Sequence, residues 1–199
     1  MANIKISELP AAAPLDGTEL MEVSQMSGAS YDSFQSTTSD VAFAGAKYGS
    51  FYDTTDQTGS TSAATAVKFN SNYINTHGVT VVTNGSGLTR ITYEEAGTYM
   101  IAPSLQFANS DTSNHTASIW FAKNGTTIAN SGTVIAVPKV ADGGNTFFQI
   151  VFYTTLEAGD YLEVKWLPAH AAVTLDAITA GAIAPAAPSA ILVTERIDL

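Results

Sequence analysis

Three histidines, a scatter of carboxylates and two tryptophans are the side chains of this 199-residue sequence through which chemistry could pass. His77, His115 and His170 lie more than 35 residues apart, and no two have the i, i+4 or short-loop spacing of a metal site, so each reads as a solvated loop residue. Glu94 with Glu95, and Asp160 with Glu163, are carboxylate pairs that could act as acid and base. Asp160, however, sits in a turn motif and Glu163 on a strand flank, so hydrated surface is the expectation for both. There is no Gly-x-Ser-x-Gly elbow, no Gly-Lys-Ser/Thr phosphate loop and no Gly-x-Gly-x-x-Gly. No catalytic residue is assigned, and an enzyme is not expected. Asp53 with Asp56, and Asp142 with Asn145, offer oxygen ligands to calcium, but both read as ordinary turns without three clustered carboxylates. Neither a metal nor a cofactor is expected. Trp120 and Trp166 fall within strands, where they pack more readily than they stack on a sugar.

The elements that must position these residues are strands. Thr (25), Val (13) and Ile (13) make up about a quarter of the chain, while the helix formers Leu, Glu and Lys are scarce. From residue 50 onward, strand-like runs recur at 50–55, 65–74, 78–83, 88–93, 97–107, 116–123, 126–137, 145–155, 160–167 and 189–197. Asn84-Gly85, Asn124-Gly125 and Gly143-Gly144 supply hairpin turns, and Gly97 and Gly159 sit at strand starts. Many short strands without crossover helices imply an all-β antiparallel sandwich or jelly roll. Ahead of a composition break at 45–50, the alternating stretches 3–7 and 19–25 and a possible short helix at 38–47 make up a segment too poor in large apolar side chains to form a core alone. The domains expected are 1–48 and 49–199. The Ala-rich segment 177–188, with Gly181, Pro185 and Pro188, reads as a connector.

Parity within the strands says more than their number. In 97–107 the odd positions Tyr99, Ile101, Leu105 and Phe107 form an apolar face, and Met100, Ala102, Ser104 and Gln106 a mixed one. In 145–155 both faces are apolar, with Phe148, Ile150 and Phe152 on one side and Phe147, Val151 and Tyr153, with Gln149, on the other. One core covers one face; a second subunit is the simplest cover for the other.

Charge narrows the partners. A net charge of −10 with no basic patch argues against nucleic acid. No stretch approaches the roughly 20 apolar residues of a membrane span, so membrane insertion is not expected. The N-terminus has no secretory pattern, and folding in the cytosol is expected. Without cysteine the chain is indifferent to redox compartment.

The turns carry a resemblance. Glu95-Ala96-Gly97-Thr98-Tyr99, Ala122-Lys123-Asn124-Gly125 and Leu156-Glu157-Ala158-Gly159-Asp160-Tyr161-Leu162-Glu163-Val164 follow in order at spacings similar to those of the trimeric jelly roll of the tumour necrosis factor and complement globular-head superfamily. The resemblance covers about 50–199. It implies a homotrimer with Met100, Ala102, Phe147, Gln149, Val151 and Tyr153 facing the threefold axis, in agreement with parity. At the other end, Ile6-Ser7-Glu8-Leu9-Pro10, Leu15-Asp16-Gly17-Thr18-Glu19-Leu20, Val23-Ser24-Gln25 and Thr37-Thr38-Ser39-Asp40-Val41 resemble the N-terminal module of tailed-bacteriophage tail-fibre and other virion proteins. This implies attachment through Ile6, Ser7, Glu8, Leu9 and Pro10 to a tail, baseplate or capsid component, and location in the virion.

Together these readings describe a short trimeric fibre or spike with a jelly-roll knob. Its expected contacts with a host-surface glycan lie in the Asn/Ser/Thr/His-rich loop at 109–116, with Asn109, Asn114 and His115 as candidates. A capsid-decorating protein without receptor binding and a free carbohydrate-binding module are the alternatives.

Overall fold

The computed structural model describes residues 20–27, 30–37 and 46–198. The chain divides into two compact units, 1–46 and 47–199. In the first, β1 (Leu20–Ser27) and β2 (Ser30–Thr37) form an antiparallel hairpin, with Leu20 opposite Thr37 and Ser27 opposite Ser30. β1 falls on the expected alternating stretch, whereas β2 was not foreseen. The attachment residues Ile6, Ser7, Glu8, Leu9 and Pro10 lie outside the described residues, as does the expected helix except for Ala46 and Lys47, which are not helical.

The second unit begins two residues before the expected boundary, because Lys47 belongs to it: its side chain is buried and pairs with Glu95 at 2.8 Å. Apart from the 3-10 turn Val140–Asp142, its described residues form strands and loops. One sheet is built on the long strand β9 (Gly97–Asn109), flanked by β17 (Ala190–Arg196) and then β3 (Tyr48–Asp53). β13 (Asn145–Gln149) and β14 (Phe152–Leu156) also pair with β9, and the short strands β4 (Gln57–Thr58), β6 (Ser71–Asn72) and β16 (Val173–Leu175) complete the sheet. The other sheet runs β11 (Thr126–Thr127), β10 (His115–Lys123), β15 (Tyr161–Pro168), β8 (Leu88–Tyr93), β7 (Val79–Thr83). In it β12 (Thr133–Val137) joins β10, and β5 (Thr65–Ala66) joins β15. All of these pairings are antiparallel.

The core lies between the sheets, and aromatic pairs cross it. Phe107 meets Trp166 edge-on at 5.7 Å, Tyr93 tilts on Tyr99 at 4.5 Å and Phe121 stacks on Phe152 at 4.6 Å. Offset and edge contacts of this kind add to the area these rings bury. The odd positions of β9 named above are all buried, as alternation predicts. The run 145–155 appears as two strands in one register, since Phe148 faces Leu105 and Phe152 faces Ile101. The gap at Ile150 and Val151 has a local cause: Pro103, opposite it in β9, has no N–H to donate to a ladder. Parity survives the gap, with Phe148 inward and Phe147, Val151 and Tyr153 outward. The Asn124-Gly125 turn has the positive φ values, 51° and 80°, of a two-residue hairpin loop.

Candidate functional site

Two surfaces of the second unit stand out, and strand register builds both. The first is the outward side of the β9 sheet. There Phe147 faces Gln106, Gln149 faces Ser104 and Tyr153 faces Met100 across one edge of β9, while Ile191 faces Ser104, Val193 faces Ala102 and Glu195 faces Met100 across the other. Phe147 is 61% exposed, Tyr153 55% and Val151 50%; Met100 and Ala102 are half-buried and Gln149 exposed. At the outward positions of β3, β9, β13, β14 and β17 the single charged residue is Glu195. The face is nearly uncharged and carries large exposed apolar side chains beside neutral polar ones, of the kind usually covered by a partner. All six residues assigned to the subunit interface from sequence lie on it.

The second surface is the tip where β9 ends and β10 begins. Asn109 organises it: its Nδ2 donates to the carbonyls of Ser113 (2.9 Å), Val137 (3.3 Å) and Pro138 (3.1 Å), and its Oδ1 accepts the Asp111 N–H at 2.9 Å. Asn109 is only 2% exposed, so it holds the loop together and is not a surface contact group, contrary to the sequence reading. Asn114 is exposed and lies on the tip, with its Oδ1 accepting the Lys139 N–H at 2.8 Å.

His115 is not a solvated loop residue either. β10 pairs with β15 so that Ala117 faces Pro168, and the Ala169 N–H continues the ladder to the Thr116 carbonyl. Extending that register by two residues sets His115 against His170, and their rings stack at 4.2 Å with 9° between planes. Asp111 closes the group: its Oδ2 accepts from His115 Nε2 at 2.7 Å and lies 3.8 Å from His170 Nδ1. The His115 side chain and the Thr112 N–H hold the Asp111 carboxyl below its usual pKa. Asp111 and His115 are neighbours at i and i+4, but the strand pairing that brings His170 to them could not be read from spacing.

The remaining chemical candidates resolve into structural roles. Asp160 and Glu163 are buried, not hydrated. Burial opposes ionisation of Asp160, but Lys123 at 2.7 Å, the Glu157 N–H and Asn124 outweigh it and hold the pKa at about 2. Burial likewise opposes ionisation of Glu163, and Lys165 at 2.8 Å, Thr89 and Asn84 lower its pKa on balance. Asp53 accepts from Thr55 and Asn70, and Asp56 from the Ala177 N–H, so the two carboxylates serve separate turns. Asn145 donates to the Gly143 carbonyl, while Asp142 reaches Lys139 at 3.8 Å. Trp166 is fully buried and presents no face to a sugar. The segment 177–188 folds back on itself, with Ile178 and Ala187 exchanging hydrogen bonds and Ile183 99% exposed at its end. Beside it an open groove of about 560 Å³ runs past the stacked pair Tyr52 and Tyr73.

The fold defined by these two sheets is a tumour-necrosis-factor-like jelly roll. No family model matches the chain, and no curated protein does. Among solved structures it is similar to murine APRIL: the pH 8.0 crystal structure aligns with a TM-score of 0.50 and 12% identity, over 76% of this chain and 99% of that one. The pH 8.5 structure gives 0.48 and 11% over the same shares. At such identity the likeness concerns the fold alone.

Proposed function

We propose that this chain is a bacteriophage virion structural protein, a short homotrimeric spike anchored through residues 1–48 and displaying its jelly roll for adhesion to the host surface, without catalytic activity. The observation that supports the trimer most strongly is the nearly charge-free outward face of the β9 sheet, where Phe147, Val151 and Tyr153 stand exposed. A closed threefold assembly buries such a face in every subunit and leaves no unpaired patch.

The layout of the second unit suits the attachment reading. Lys47, where the unit begins, lies with Glu95 and Arg196 at the start of β9, and the Asp111, His115 and His170 cluster lies at its far end. Thirteen residues of strand separate the two by about 40 Å at roughly 3.3 Å per residue. The polar tip therefore lies at the end of β9 opposite Lys47, where the unit begins. The virion assignment itself rests on the resemblance of the N-terminal residues.

Light scattering on the purified chain tests the trimer: the expected mass is about 62 kDa, three times 20.8 kDa. A monodisperse monomer at 10 µM would sink the assembly. Adhesion is tested by competition, in which soluble trimer should block phage adsorption and the Asn114→Ala/His115→Ala variant should block it less well. If saturating trimer leaves adsorption untouched, the adhesive role fails and the capsid-decorating role takes its place.

A further inference from the structure

Among the described residues, Asp111, His115 and His170 bring one ligand atom each to within 4.8 Å of one another. We propose that they bind a divalent transition-metal ion, zinc by the chemistry of the donors, and that the ion fastens the 110–114 loop and the start of β10 to the loop at 169–172. Two imidazole nitrogens and one carboxylate oxygen suit a borderline ion; calcium and magnesium would require an oxygen set. Ligands bonded at about 2.0–2.2 Å to a tetrahedral ion stand roughly 3.3 Å apart. Here the Asp111 oxygen is 2.7 Å from the His115 nitrogen and 3.8 Å from His170 Nδ1, so the donors need move only a little to share one ion.

The supporting contacts are already in place. The Thr112 N–H holds Asp111 Oδ1 at 2.6 Å, which leaves Oδ2 turned toward the imidazoles. His115 is fixed in β10 and mostly buried, its side chain 17% exposed. Outer hydrogen bonds of this kind orient a ligand and fix its lone pair. One adjustment is needed. Parallel rings stacked at 4.2 Å do not share a plane, and an ion bonds along the plane of each imidazole, so one ring must turn. His170 is the one placed to do so: its side chain is half-exposed, and its ring is held by stacking on His115 and by the Ala172 N–H donated to Nδ1 at 3.2 Å. Rotation about its χ2, a broad torsion, frees Nδ1 for the ion. Water fills the remaining coordination positions at this exposed tip. Because all three ligands come from one chain, the inference is independent of both the trimer and the virion reading.

Calorimetric titration of the tag-free full chain, stripped with EDTA and exchanged into buffer, tests it. The expected result at pH 7.5 is one zinc per chain with a dissociation constant in the micromolar range. His170→Ala and Asp111→Asn should each weaken binding at least tenfold, and His77→Gln should leave it unchanged. Zinc should also raise the melting temperature of the wild type but not of His170→Ala. Absence of binding at 1 mM zinc overturns the proposal, and so does binding that His170→Ala leaves intact.

Discussion

Replacing Val151 by aspartate separates assembly from folding. Val151 is 50% exposed and lies in the gap opposite Pro103, with its side chain outward, so the substitution leaves the core of a single subunit untouched. In a trimer built on this face the same residue is desolvated. Burying half of a valine side chain contributes about 1 kcal/mol, and an unpaired carboxylate placed in the interface costs at least about 3 kcal/mol. The sum is about 4 kcal/mol per subunit and about 12 kcal/mol per trimer, or close to nine decades in the three-body dissociation constant at 1.36 kcal/mol per decade. Light scattering at micromolar concentration should then report a monomer near 20.8 kDa, and circular dichroism should report the strand content of the wild type. A trimer that persists in Val151→Asp would show that the apolar face does not make the interface, and loss of fold would show that Val151 supports the core.

Three further outcomes are expected. Asp160 has a folded pKa of about 2 against an ordinary 3.8, so its stabilisation is fully present above pH 4 and is lost as pH falls toward 2; the shift corresponds to at most about 2 kcal/mol, and acid titration monitored by tryptophan fluorescence should show it shrink in Asp160→Asn. Asn109→Ala removes the donor to three carbonyls and should lower stability by about 2–3 kcal/mol in urea melts while leaving the trimer mass unchanged. Deleting residues 1–46 keeps the Lys47–Glu95 pair and should leave a folded trimeric knob, but phage particles assembled with it should lack the protein by immunoblot; incorporation at wild-type occupancy would refute attachment through the N-terminal residues.

Sheet content, the buried odd face of β9 and the doubly apolar run at 145–155 could be read directly, because a period of two places side chains without knowledge of strand partners. What depended on partners could not be read. His115 and His170 meet only because β10 and β15 pair in one register, and the gap at Ile150 and Val151 exists because Pro103 lies opposite. Glu163 looked like a surface residue by type; it is buried where the β7–β8 hairpin meets β15, with Asn84 and Thr89 from the hairpin and Lys165 from its own strand satisfying it. Asn109 was legible as polar and loop-adjacent, which hid the opposite fact that its amide is bonded inward.

The pairing of β3 with β17 bears on how the knob would carry load. β3 runs from Tyr48, opposite Glu195, to Asp53, opposite Ala190, and so points from the base toward the tip. A tether drawing on Lys47 while a ligand is held near His115 pulls β3 along its own axis. The hydrogen bonds to β17 are then strained together in shear, and none can open first as it would if the strand were peeled from its end. Under the proposed attachment, yielding would require many bonds to fail at once, a high barrier and therefore a slow forced unfolding rate, so the β3–β17 ladder would resist such a load.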